Sequence, residues 1–165
     1  MNKIFKLANS IYIIERRIFM KDILNNLNIF LSNLNDFYRK LQNFRWNIKG
    51  RNFFTVHSKL EEFYNELNEK IDEIAEHILS LEGQPLGTLK DYLETASITE
   101  AKNDKVDSSY IFKELIKDYS TLLQDVKNIK KMADNNSETK TSVLMDEFIE
   151  DYTKKIWMLK YSIDN

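Results

Sequence analysis

A chain of 165 residues with one proline and three glycines has few places to turn. Pro85, Gly83 and Gly87 lie within five positions of one another, so apart from Gly50 the turn-forming residues sit in one short stretch. Everything else is dominated by Leu, Ile, Lys, Glu and Asn, and the long intervals between breakers favour a few long helices over many short strands. An all-α fold is expected. With 42% hydrophobic and 12% aromatic residues, the chain can close one domain around a substantial core.

Charge and cysteine content narrow the function classes. A net charge of −2, from 24 basic and 26 acidic residues, gives no global field that attracts nucleic acid or an anionic membrane, so such contact has to be local. The absence of Cys excludes a disulfide framework and any thiolate metal site, and fits a reducing, cytoplasmic setting.

Residues 1–19 form an N-terminal extension, read apart from a domain over 20–165. Its uncharged run Leu7 to Ile14 is short for a signal core, and Glu15, Arg16 and Arg17 interrupt any membrane span. Ile4, Leu7, Ile11, Ile14 and Ile18 recur at helical spacing, and Lys3, Lys6, Arg16, Arg17 and Lys21 offer phosphate contacts, so the segment reads as a basic amphipathic helix. The other reading is that Met20 is the working start.

From Met20 onward the three- and four-residue steps of Leu24, Leu27, Phe30, Leu31, Leu34, Phe37, Tyr38 and Leu41 predict a first helix ending near Trp46. A turn around Gly50 leads to a second helix, from about Phe53 to Leu81, ended by Gly83 in a left-handed cap and by Pro85. Thr88 with Asp91 signals a two-turn helix in the following connection. Ser108 or Ser109 is the expected cap of a third long helix running to about Ala133, and a fourth is expected from about Lys140 to Tyr161. Four long helices with a long middle crossover give ferritin-like bundle connectivity.

On the second helix, His57, Glu61, Asn65, Asn68, Asp72 and Glu76 fall on one polar stripe, away from the Leu60, Leu67 and Ile74 side. His57 with Glu61, and Asp72 with Glu76, are four-residue pairs able to grip a cation. At 1.5 Å per residue the ends of the stripe are about 28 Å apart, so one helix cannot bring both pairs to one ion. A two-fold axis near Leu67 would place each pair opposite the other pair of a second copy. Histidine with carboxylates suits Fe(II), with Mn(II) and Zn(II) as competitors. His77, about 100° round the helix from Glu76, is read as a surface histidine, and Glu66 and Lys70 as ordinary surface charge.

The run from Trp46 to Thr88 carries W-N-x-x-G-x-x-F-F-x-x-H, then spaced acids to D-E-I-A-E, then G-x-P-L-G-T, and it resembles the signature region of the Dps proteins, or mini-ferritins. The segment "KKIWMLKYSID" resembles their last helix. The resemblance implies a bundle with a short helix in its crossover, assembled as a hollow homo-dodecamer. It further implies a ferroxidase that oxidises Fe(II), typically with peroxide, at sites shared across two-fold interfaces, and that stores ferric iron. DNA is a partner of many members.

His57, Glu61, Asp72 and Glu76 match the family's metal positions, and Trp46 matches a Trp beside the iron. Arg45 stands where the family has His, and Gln42 where another His is frequent. A guanidinium stays protonated and has no free lone pair, so Arg45 cannot replace that ligand and is free to pair with acids such as Asp72 or Glu76 across the dimer. The resemblance also implies an iron entry pore at a three-fold axis, which Glu138, Asp146, Glu147, Glu150 and Asp151 near the start of the last helix would line; solvated helix charge is the preferred account of these acids, and Lys140 lies among them. Trp46 and Trp157 are expected in the core or at an interface. Three functions stand open: an iron-oxidising storage shell with an altered centre, a structural cage with little oxidation, and DNA protection through the basic N-terminal segment.

Overall fold

The computed structural model describes residues 3–163, with side chains from Ala8 onward. Five helices are present among these residues: α1 (Lys3–Asn47), α2 (Phe53–Ser80), α3 (Leu89–Thr95), α4 (Ser108–Asn135) and α5 (Thr139–Tyr161). The four long ones form the bundle, with α1 packed on α2 and α4, α4 on α5, and the short α3 laid across α1.

The periodicity that predicts α1 also forms the centre of the core. Ile23, Leu27, Phe30, Leu34, Phe37 and Leu41 are fully buried, and Leu60, Ile74, Ile111, Leu122, Val126 and Met145 close around them. Phe37 meets Tyr119 edge-on with ring centroids 4.9 Å apart, and Phe30 meets Phe148 at 5.4 Å, a geometry that adds to simple area burial. α1 does not start at Met20; it continues back through the N-terminal extension as one helix.

Two helix ends differ from expectation in which residue does the work. α2 ends with Glu82, not Gly83, in the left-handed region (φ 60), and the Gly83 N–H bonds the Ile78 carbonyl at 3.0 Å. Gly83 is needed for space: a Cβ there would sit 2.4 Å from Leu24 Cδ2. α4 is capped by Asp107, whose carboxylate accepts from the Tyr110 N–H at 2.9 Å, because Ser108 and Ser109 already lie within the first helical turn. The Thr88 cap of α3 is as expected, with its hydroxyl oxygen accepting from the Asp91 N–H.

The long crossover is fixed by asparagines on α1. Asn28 donates to the Gln84 carbonyl and accepts from the Leu86 N–H. Buried Asn33 accepts from the Ser97 and Ile98 N–H groups at 2.7 and 3.1 Å and donates to Asp125 at 2.7 Å. Burial holds the Asp125 carboxyl above its ordinary value, opposed by that hydrogen bond. A single parallel bridge between Ile48 and Val106 closes the far end of the crossover.

Charges are also folded inside. Lys40 is buried and lies 2.9 Å from Glu114 and 2.8 Å from buried Asp118, the second approach being close but poorly aimed for a hydrogen bond. Burial alone would lower the Lys40 pKa, but the two carboxylates outweigh it and raise it. Glu66 and Lys70 are not ordinary surface charges. Lys70 is 18% exposed and bonds Asp151 at 2.6 Å, Lys155 is 11% exposed and bridges Glu66 and Asp151, and the Lys70 ammonium lies 4.9 Å from the Phe148 ring centre. The network joins α2 to α5 beside a groove that runs between the start of α2 and the end of α5.

Two outcomes follow. Asn33→Ala leaves two crossover N–H groups and Asp125 without partners, and urea denaturation should show a loss of about 1–3 kcal/mol for each buried group left unpaired. Burial raises the Asp151 pKa, but Lys155 and Lys70 prevail and hold it below its ordinary 3.8. The stabilisation from this depressed carboxylate is therefore present above pH 3.8 and lost as pH falls through the still lower folded value. Asp151→Asn should destabilise most near neutral pH, and the gap to the unaltered protein should close in melts below pH 3.8.

Candidate metal centre

The α1–α2 hairpin brings the end of α1 alongside the start of α2, which sets Arg45 against His57 and Glu61. His57 Nδ1 lies 3.0 Å from the Arg45 carbonyl oxygen. A carbonyl only accepts, so Nδ1 carries a hydrogen and Nε2 is the ring nitrogen left to offer a lone pair to a metal. Phe53 stacks on the ring at 5.1 Å between centroids and fixes its plane. The Arg45 backbone thus orients His57.

The Arg45 side chain acts in the other direction. Its Nη2 donates to Glu61 Oε2 at 2.8 Å, so the carboxylate nearest His57 is already held by a cation. This pair lies within one chain, whereas the sequence reading pairs Arg45 with Asp72 or Glu76 across a dimer. Arg45 Nε is buried and has no hydrogen-bond partner. Gln42 does not join the cluster; its amide bonds Arg39 and Tyr38 along α1.

Asp72 and Glu76 are exposed at the other end of the stripe, and Asn65 and Asn68 between them and Glu61 are exposed too. Among the described residues, neither acid enters an ion pair, and no three His, Asp or Glu side chains of one chain gather as a metal site. The donor set is therefore split as the spacing requires, with an imidazole and a carboxylate at one end and two carboxylates at the other. Hard carboxylate oxygens with one imidazole fit Fe(II) by donor chemistry.

Other candidate residues fall in varied settings. Trp46 is 58% exposed and Trp157 57% exposed, so neither belongs to the core of a single chain. His77 is half-buried between α2 and α5 with Nε2 2.9 Å from Thr141 Oγ1, so it is not a free surface histidine, and burial lowers its pKa. Asp146 pairs with Lys130 at 2.9 Å, Glu138 precedes α5, Glu147 and Glu150 are exposed, and Asp151 is committed to Lys70 and Lys155. Arg16, Arg17 and Lys21 lie along α1 beside the ends of α2 and α5, while the side chains of Lys3 and Lys6 lie outside the described residues. No described helix is long and apolar enough to cross a membrane. The Arg45 to Glu61 pair was not anticipated from spacing, because it depends on how tightly the Gly50 turn closes the hairpin.

Comparison with known proteins places this geometry. Residues 24–165 match the ferritin-like domain family. The DNA protection during starvation protein 2 of Bacillus anthracis is 40% identical over 118 residues, covering 72% of this chain and 80% of the relative. The solved Dps protein of Vibrio cholerae, described as one of the ferritin-like diiron-carboxylate proteins, superposes with a TM-score of 0.84 at 35% identity, covering 87% of this chain and 90% of that one. A Dps protein from Bacillus brevis superposes with a TM-score of 0.85 at 34% identity, over 88% of this chain and 97% of its own. The chain belongs to the Dps family of ferritin-like proteins.

Proposed function

We propose that this protein assembles as a closed Dps-type shell that binds Fe(II), oxidises it with hydrogen peroxide and retains the ferric product. Each centre lies between two chains, with His57 and Glu61 from one and Asp72 and Glu76 from the other. The observation that carries the reading is the His57 contact pair: Nδ1 lies 3.0 Å from the Arg45 carbonyl and Phe53 stacks on the ring, so Nε2 is the nitrogen left to a metal.

Fe(II) is the substrate and supplies the electrons that reduce peroxide. The chain's own part is to orient the imidazole, supply three carboxylates and control access to one of them. Glu61 meets an incoming ion with its Oε2 already held by Arg45, and offers that oxygen only when Arg45 lets it go. The guanidinium is always charged, so its release costs Coulomb attraction and leaves a cation near the incoming Fe(II). The centre is therefore attenuated, and loading is the slow step.

A second reading rests on Arg45 Nε, buried and without a partner. A carboxylate of the facing chain, Asp72 or Glu76, would satisfy it and close the site with salt bridges, leaving a shell that does not oxidise iron. DNA protection, the role in the name of the Bacillus anthracis relative, is a further property that such a shell can combine with either reading.

The deciding experiment is anaerobic Fe(II) loading followed by a stoichiometric peroxide pulse, with ferric absorbance followed in time. The unaltered protein should oxidise Fe(II) faster than a protein-free control, and Arg45→His should raise the rate by about 10–100-fold, the range over which groups that orient or restrain metal ligands act. Oxidation no faster than the control, restored in Arg45→His, selects the salt-bridged cage instead.

A further inference from the structure

The N-terminal part of α1 stands clear of the bundle core and outside the family match, which begins at residue 24. Ile11, Ile14 and Ile18 are 49%, 54% and 58% exposed, although each is a β-branched apolar residue with little intrinsic reason to be helical. An apolar stripe left in water in this way marks an interaction surface.

The spacing of these isoleucines shows what kind. Ile4, Leu7, Ile11, Ile14 and Ile18 step by three, four, three and four, the strict alternation of a coiled-coil seam with Ile4, Ile11 and Ile18 at one core position and Leu7 and Ile14 at the other. The next two seam positions are Lys21 and Asn25, so the seam stops where the bundle begins. At 100° per residue it is turned by roughly 150° from Ile23, Leu27, Phe30 and Leu34, which face the bundle core. It is not a continuation of the core stripe. The opposite side of the segment, with Tyr12, Arg16 and Met20, faces the cleft against Leu81, Gln84 and Glu138, which leaves Ile11 and Ile14 pointing away from the protein's own bundle, while Ile18 borders a second cleft beside Met132 and Asn136.

We propose that this segment pairs with the same segment of another copy of the chain, in parallel and in register, as a short coiled coil outside the bundle. Register and direction come from charge. In a parallel coil the residue before each first core position faces the residue five places further on in the partner; here that sets Arg17 against Asp22, both exposed and of opposite sign. An antiparallel coil over the same seam would instead carry Arg17 to the N-terminal end of the partner, away from Asp22. The partner is a second copy because the seam is self-complementary: isoleucine packs on isoleucine at equivalent levels. The contact is separate from the metal centre, which lies at the far end of α1.

The chain contains no cysteine, so a single introduced thiol reports on one position. The full-length Ile14→Cys and Tyr12→Cys variants would be oxidised mildly with oxidised glutathione and disulfide-linked pairs followed on non-reducing gels. Position 14 lies on the seam and position 12, 59% exposed, lies off it. Parallel pairing predicts that Ile14→Cys links at least about tenfold faster than Tyr12→Cys, since the coil holds the two thiols at high effective concentration. Adding Ile11→Asp should abolish that advantage. Ile11→Cys, the adjacent seam position, should behave like Ile14→Cys. Equal rates at the two positions, or faster linking at position 12, would overturn the proposal. Equal rates with sedimentation of the unaltered protein on phosphatidylserine vesicles would overturn it in favour of a membrane surface.

Discussion

A straight helix cannot bring its two ends to one ion, and the organisation of this protein follows from that limit. His57 and Glu76 belong to one unbroken helix, α2, and lie about 28 Å apart along it. The bundle buries Leu60, Leu67, Ile74 and Ile78 on one side of α2, which leaves the polar stripe on the other. In the proposed centre, a donor set distributed in this way is incomplete in one chain and is completed by a second, reversed one.

The interior supports this by fixing backbone as much as by burying carbon. Asn33 holds the crossover to α1 and α4 through four hydrogen bonds within 3.1 Å, and the Glu66, Lys70, Asp151 and Lys155 network holds α5 to α2. Arg45 fits the same logic at the hairpin end, where its carbonyl aligns His57 while its guanidinium restrains Glu61.

Long periodic segments were readable from the sequence because many residues vote on each. The bounds expected for α2 and α5 differ from the observed ones by a residue at most. Details that depend on a single neighbour were not. Gly83 looked like the left-handed residue, but its lack of a side chain is used against Leu24 while Glu82 takes the positive φ. Lys70 and His77 looked solvated on a helical wheel, since no wheel shows that α5 brings Asp151 and Thr141 against them. The stripe itself was readable in full, because it lies along one element. The Arg45 to Glu61 pair was not, because it spans a turn.

The most direct test of a centre shared between chains is complementation. Chains carrying His57→Ala with Glu61→Ala would be unfolded, mixed with chains carrying Asp72→Asn with Glu76→Gln, and reassembled together. Each kind alone has no whole site, but a mixed pair has one whole site of two, so random pairing restores roughly a quarter of the sites. The account predicts that Fe(II) oxidation by peroxide, absent from each parent shell, returns in the mixed one to about that fraction of the unaltered protein's rate. A mixed shell as inactive as its parents, while the unaltered protein taken through the same unfolding and reassembly stays active, would contradict it.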